Sequence, residues 1–467
     1  MTGNYKRRED NELIKNFEEA LKNHSSIYFD EETFDEIINY YFDKGRFDKA
    51  LKACNIACQH YPFSADFLLL KANLLAEIEE YDNALSVLEH TETLQPLEPE
   101  IFILRGTVFN QCQQYPEAIE AYKKALPFVD DKDDIYYNIG FTYQTTEDYT
   151  NAIRYYKKAI EENLSNENAL YSLAYCLDLT GKLEISISYY KKFIDYDPYS
   201  QHAWYNLGAV YSKLKKFEEA VKAYEYATLI DEEFASAFFN LGNAYLDLND
   251  TLKALNAYKI TYDIEGPSSE IFFCLAQAYE LLEQYDLAMK YYMKSTKLDI
   301  MNDESWFGGA NCLAIQNKWY ESLHFFNKAL KLNNENPKYW YAVAKAENQV
   351  GNIISSLDAY EEASLLDPAN KGIWLDWSNI YYEQGKYNMA VELIIRGLEE
   401  NPDDSDMLYR NSAYLIAAGK YKEAFSCLEN ALFLDFENHT VLLEFFSNLE
   451  IQKALFKIIE RFRKENL

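Results

Sequence analysis

Basic charge is scarce in this 467-residue chain, where 45 lysines and arginines face 76 acids for a formal net charge of −31. A field of that sign argues against nucleic acid or an anionic membrane as the main partner and would attract basic proteins or peptides. Its plainer role is a solvated surface that keeps a long, aromatic-rich chain in solution. Cysteine is sparse as well: the seven, Cys54, Cys58, Cys112, Cys176, Cys274, Cys312 and Cys427, are odd in number and lack paired spacing, so no disulfide framework is visible. Cys54 and Cys58 stand four apart on a helix and would supply half a metal site, but no second pair or nearby histidine completes it. No stretch approaches the roughly 18 uninterrupted apolar residues of a membrane span. The opening MTGNYKRREDNELIK has basic residues with no apolar run behind them, unlike a secretory signal. These absences lead to the expectation of a reducing cytoplasm.

Catalytic signatures are missing too. There is no G-x-S-x-G, no Walker loop, no H-E-x-x-H and no glycine-rich phosphate cradle. The six histidines, His24, His60, His90, His202, His324 and His439, are scattered near helix ends or loops, none beside a cysteine or carboxylate at metal spacing. Acidic pairs such as Glu218–Glu219 and Asp403–Asp404 read as solvated faces or helix starts. The expectation is a protein that is not an enzyme and needs no cofactor or metal.

What is present is one stretch used many times. In Gln201–Phe234, Trp204, Leu207, Gly208 and Tyr211 fall at i, i+3, i+4 and i+7 on one face of a first helix, and Ala220, Tyr224 and Ala227 form the stripe of a second. Gly208 and Ala220 are small enough to bring the two axes toward the close end of roughly 8–10 Å, with Trp204, Phe217 and Tyr224 filling the space beside the crossing. Steps of 34 residues from Ala220 land on Ala50, Ala84, Ala118, Ala152 and Ser186, and on Ala254, Ala288, Ser322, Ser356, Ala390 and Ala424. Ala50 to Ala424 is eleven such steps, which gives twelve units without insertion or deletion. The Gly208 position holds Ala72, Gly106, Gly140, Ala174, Gly242, Ala276, Ala310, Ala344, Ser378 and Ser412, with Ile38 the exception. Cys176 and Cys312 share one repeat position and read as small core filling.

W-x2-L-G-x2-Y followed by A-x3-[FY]-x2-A resembles the tetratricopeptide repeat. The resemblance covers residues 31–438 and implies an all-α α-solenoid, a superhelix of antiparallel helix pairs whose core lies between neighbouring repeats. The whole-chain layout is similar to long stand-alone tetratricopeptide proteins of Bacteroidota. Three segments are expected: an N-terminal helical extension or cap over residues 1–30, twelve repeats in one continuous superhelix over 31–438, and C-terminal capping helices over 439–467. In the first, a basic patch (Lys6, Arg7, Arg8) precedes a helix capped by Asp10 with Leu13, Ile14, Phe17 and Leu21 on its apolar face. Ser25 and Ser26 connect it to the first repeat, which Asp30 caps. In the last, Leu442, Phe445, Phe446 and Leu449 suggest a further first helix. A terminal helix follows with Leu455, Ile458, Ile459 and Phe462 inward and Lys453, Lys457, Arg461, Arg463 and Lys464 outward, suited to capping or to docking an acidic partner. Five repeat connections carry a proline, Pro62, Pro96, Pro198, Pro368 and Pro402, and the others turn without it, but Pro127 falls inside a second helix, which it should end or kink. Asp130, Asp131, Asp133 and Asp134 behind it read as a solvated turn feeding charge to the next helix N-terminus. Their spacing matches no EF-hand.

In this family the stripe beside the buried face of the first helix lines the concave surface. Here that stripe is His202, Tyr205, Ala209 and Ser212, and seven consecutive repeats carry a ring at the Tyr205 position: Tyr137, Tyr171, Tyr205, Phe239, Phe273, Phe307 and Tyr341. Asn138, Asn206 and Asn240 follow one residue later, and Asn243 and Asn311 sit at the Ala209 position. Such a ladder suits an extended peptide, with rings gripping side chains and amides meeting backbone. The competing reading is that the rings support the fold. Family members that clamp acidic chaperone tails use lysine and arginine here, and only Lys345 and Arg410 stand at those positions, so that activity is disfavoured. The implied function is a non-enzymatic interaction scaffold or adaptor with a protein or peptide partner. A regulatory solenoid for an enzyme supplied in trans and a self-associating structural protein are the alternatives, and the oligomeric state is left open.

Overall fold

The computed structural model describes residues 13–19, 21–22, 28–446 and 449–466. Lys6, Arg7, Arg8, Asp10, Ser25 and Ser26 lie outside them. The fold is an all-α solenoid with no strand among the described residues. Two compact units divide the chain after Ala237. In the first, helix pairs run from Glu31–Asp43 with Phe47–His60 to Gln201–Lys213 with Phe217–Ile230. In the second they run on to Ser405–Ala417 with Tyr421–Leu434.

Each pair is built the same way. Ser200 opens Gln201–Lys213 by accepting the Ala203 N–H on its hydroxyl at 3.2 Å, and Asp30 caps the first repeat through the Thr33 N–H at 2.9 Å. The first helix closes when Lys216 N–H reaches the Tyr211 carbonyl and Lys215 N–H the Ser212 carbonyl, both at 2.9 Å. This reversal puts Lys215 in the left-handed region at φ 57°. The same position is left-handed in every repeat; Gly45, Gly181, Gly351, Gly385 and Gly419 suit it fully and Asn249 and Asn317 tolerate it, whereas Glu79, Gln113, Glu147, Lys215 and Glu283 do not favour it. Lys215→Gly should therefore stabilise the first unit by about 0.5–1 kcal/mol, the relief of left-handed strain less the added freedom of the unfolded chain. A thermal melt at fixed concentration checks it, and a lower midpoint would contradict the strain argument.

The small-residue columns do what their size allows. The Ala220 position is shut off from solvent in every repeat. Opposite it, the ring of the second-helix tyrosine lies on the glycine. A Cβ on Gly208 would stand 2.7 Å from the Tyr224 ring, one on Gly140 would stand 2.8 Å from Tyr156 and one on Gly242 would stand 2.5 Å from Tyr258.

Pro127 ends its helix, one of the two outcomes its missing N–H predicts: Tyr115–Ala125 stops and a 3-10 turn, Leu126–Phe128, carries the proline and stacks Phe128 on Phe102 at 6.1 Å. Two local expectations change. Asp133 is not part of a solvated turn. It is buried and accepts the side-chain amides of Asn163 at 2.8 Å and Asn166 at 3.0 Å, tying the start of its repeat to the end of it. Past residue 436 the expected first helix shrinks to Thr440–Glu444, because the chain turns out to set Phe445 against Tyr382 and Tyr414 at 5.4 and 5.8 Å. At the two ends, Ile14 and Phe17 and then Leu455 and Ile459 are buried as their spacing predicts, while Lys453, Lys457, Arg463 and Lys464 face outward.

Candidate functional site

In the first unit Tyr137 packs on the second-helix ring of its repeat, Tyr156, at 5.7 Å, and Tyr205 packs on Tyr224 at 5.8 Å. In the second unit the pattern is unchanged: Phe239 on Tyr258 at 5.8 Å, Phe273 on Tyr292 at 6.0 Å, Phe307 on Phe326 at 5.5 Å and Tyr341 on Tyr360 at 6.1 Å. These rings are half-buried lids on the crossings, so part of their work is structural. Tyr171 differs, standing 60% exposed. Tyr205 is covered in addition by Phe234 of the following connection at 5.0 Å.

The second-helix hydroxyls, which periodicity alone assigns to the core, reach through to the same face. Tyr156 donates to Gln144 at 2.7 Å, Tyr258 to Asn243 at 2.6 Å and Tyr292 to Glu280 at 2.6 Å. Burial pushes the Glu280 carboxyl above the usual carboxylate range, and the Tyr292 hydrogen bond opposes that rise. Asn138, Asn206, Asn240, Asn243 and Asn311 are half-buried, and the side-chain oxygen of Asn243 is engaged by Tyr258. Lys345 and Arg410, the two basic residues at the clamp positions, are both engaged: Lys345 pairs at 3.6 Å with Asp376, which also accepts the Tyr341 hydroxyl at 2.7 Å, and Arg410 donates to the Leu375 carbonyl and lies over the Phe445 ring.

Two cavities open on these residues. In the first unit a cavity of about 240 Å³ is walled by Tyr171, Tyr175, Tyr190 and Tyr205 over Ala174 and Ala209, with Asn206 at its side. An ion pair between Asp178 and Lys213 closes one rim. Tyr175, 46% exposed, was hidden among equivalents such as Ala209 and Asn243, but its spacing four residues after Tyr171 on the same helix face is the signal that finds it. In the second unit a cavity of about 260 Å³ lies between Phe273 and Phe307, with Glu280, Tyr292 and Asn311 in its lining.

Family models for the tetratricopeptide repeat match residues 36–99, 106–146, 134–166, 167–200, 202–234, 235–259 and 269–299. The chain belongs to the tetratricopeptide repeat family. The same helix pairing continues beyond those matches to Leu434. Among solved structures, it is similar to the Cut9–Hcn1 hetero-tetramer of the APC/C, with 15% identity, 84% of this chain and 89% of that one covered, and a TM-score of 0.40. It is also similar to YrrB, described as a TPR protein with an unusual peptide-binding site, with 20% identity, 39% and 94% covered, and a TM-score of 0.35. MamA matches with 13% identity, 36% and 92% covered, and a TM-score of 0.34. Tetratricopeptide repeat proteins are generally non-catalytic interaction scaffolds, and this chain is a scaffold in that general sense. No helix among the described residues is long and apolar enough to cross a membrane.

Proposed function

We propose that this tetratricopeptide repeat protein is an adaptor that holds an extended segment of a partner protein on the first-helix positions of its repeats. What carries the reading is Phe445. The chain seats this ring of its own on Tyr382, Arg410 and Tyr414, and the Tyr382 hydroxyl donates to the Phe445 carbonyl at 3.4 Å. Tyr382 and Arg410 occupy the positions equivalent to Ser212 and Asn206. An aromatic side chain and a backbone carbonyl are thus held by the groups expected to hold a partner's. The tyrosine-walled cavity offers a second such seat, with two exposed rings that make a hot spot when a partner desolvates them. The ladder residues Tyr137, Asn138, Tyr171, Tyr205, Asn206, Phe239, Asn240, Asn243, Phe273, Phe307, Asn311 and Tyr341 form the proposed face. The net charge of −31 favours a basic partner, and segments 1–30 and 439–467 act as end caps.

The test uses Tyr171→Ala with Tyr175→Ala, because both rings are exposed and the fold does not depend on them. Quantitative capture from native cytosol should fall about tenfold or more for specific partners. Tyr320→Ala, a 75% exposed ring on a second helix, should change nothing. Partners lost only with Tyr320→Ala would move the binding face to the second helices, and a chain whose mass in light scattering grows with concentration would favour self-association.

A further inference from the structure

We infer that the cavity over Glu280 is a seat for a cationic side chain, lysine or arginine, of the captured segment, an inference that rests on the adaptor reading above. Its walls are the Phe273 and Phe307 rings and its floor is the Glu280 carboxylate, held from one side by the Tyr292 hydroxyl at 2.6 Å. Gln277 and Asn311 place neutral amides beside it.

Two residues distinguish this cavity, Gly308 and Glu280. Where other repeats carry Asn138, Asn206 and Asn240, this one carries Gly308, and the Tyr292 ring lies across it. A Cβ there would stand 2.3 Å from Cζ and 2.7 Å from the hydroxyl oxygen of Tyr292, so the phenol lies directly against bare backbone. The equivalent Tyr156, with Ser172 at that position, makes the matching hydrogen bond to the neutral Gln144 at 2.7 Å, so it is the carboxylate at this position that sets the cavity apart. The charges facing the cavity are Glu280, Glu304 and Lys338, and Lys338 is exposed. Asp303 beside it is engaged with Asn333 at 3.1 Å and Tyr339 at 2.9 Å.

Burial works against the charge on Glu280, and one phenol hydrogen bond offsets only part of that cost. An ammonium or guanidinium entering between the rings supplies the missing counter-charge at hydrogen-bonding distance and meets the negative faces of two aromatic rings. A neutral side chain would leave the carboxylate uncompensated, and an anion would be repelled. The first unit's cavity differs in kind, because its acid, Asp178, is already paired with Lys213.

The experiment pans a random-peptide phage library against the immobilised full chain, wild type and Glu280→Gln. Affinities of the selected peptides are then measured by fluorescence anisotropy. Glu280→Gln keeps the shape and can still accept from Tyr292, and an unchanged melt verifies its fold. The expected result is a lysine or arginine at one fixed position of the wild-type selected peptides. Replacing it with norleucine should weaken binding to wild type by about tenfold and leave binding to Glu280→Gln unchanged. A lysine-only or arginine-only consensus identifies which cation is seated. Peptides with no fixed basic position, or with one whose loss costs both chains equally, would overturn this inference while leaving the adaptor reading intact. Failure to select any peptide whose binding responds to Tyr171→Ala with Tyr175→Ala or to Glu280→Gln would overturn both.

Discussion

Truncating Tyr258 to alanine is expected to destabilise the second unit by about 3–5 kcal/mol, the usual loss for a large buried ring. The side chain is fully buried, lies on Gly242 where a Cβ would be 2.5 Å from it, and carries Phe239 at 5.8 Å. Its hydroxyl donates to Asn243 at 2.6 Å. Alanine would leave a void between the helices of the pair, uncover the bare glycine backbone and remove the partner of a half-buried amide. Urea denaturation followed by far-UV circular dichroism gives the size of the effect. Repeat arrays lose stability locally, so amide exchange over residues 235–265 should show where it falls. Tyr258→Phe separates the two contributions: it keeps the ring and should cost only about 1 kcal/mol for the lost hydrogen bond. Equal losses for the two variants would mean that the hydroxyl, not the ring, holds the crossing together.

Overpacking the matching site in the first unit should cost nearly as much. Gly208→Leu forces a branched side chain into space that the Tyr224 ring already occupies at 2.7 Å, a strain of about 1–3 kcal/mol. Even Gly208→Ala requires that ring to shift. Trp204 stacks on Tyr226 of the same repeat at 4.4 Å, so tryptophan fluorescence gives a signal close to the change. Combining Gly208→Ala with Tyr224→Leu should cost less than the sum of the two alone, because the smaller side chain gives way where the ring cannot. A melt of Gly208→Leu that overlays wild type would refute the packing of this crossing.

Both effects follow from features legible in the residue types alone. A backbone crossing excludes side chains by volume, and volume is written directly in residue type, so Gly208 and Ala220 and their equivalents announced the helix pair and its register. Proline is similarly plain, since Pro127 has no N–H to donate and the helix stopped before it. The left-handed turn was harder to see. Glycine occupies that position in Gly45 and Gly181 but Lys215 and Glu79 take the same conformation, because the tertiary packing of two helices dictates the reversal whatever the residue prefers. Asp133 misled for a related reason. An aspartate among aspartates looks solvated, and only the return of Asn163 and Asn166 to it shows that it is enclosed.

The sequence by itself determined the fold class, the repeat length and the buried columns, since these depend on side-chain size and period along one chain. Which members of the aromatic ladder face outward was decided by tertiary structure, because exposure depends on what packs on each ring: Tyr205 lies between Tyr224 and Phe234, while Tyr171 stays 60% exposed. The Glu280 cavity was decided in the same way, because only the packing of neighbouring repeats lays the Tyr292 ring on Gly308 and brings its hydroxyl to the carboxylate.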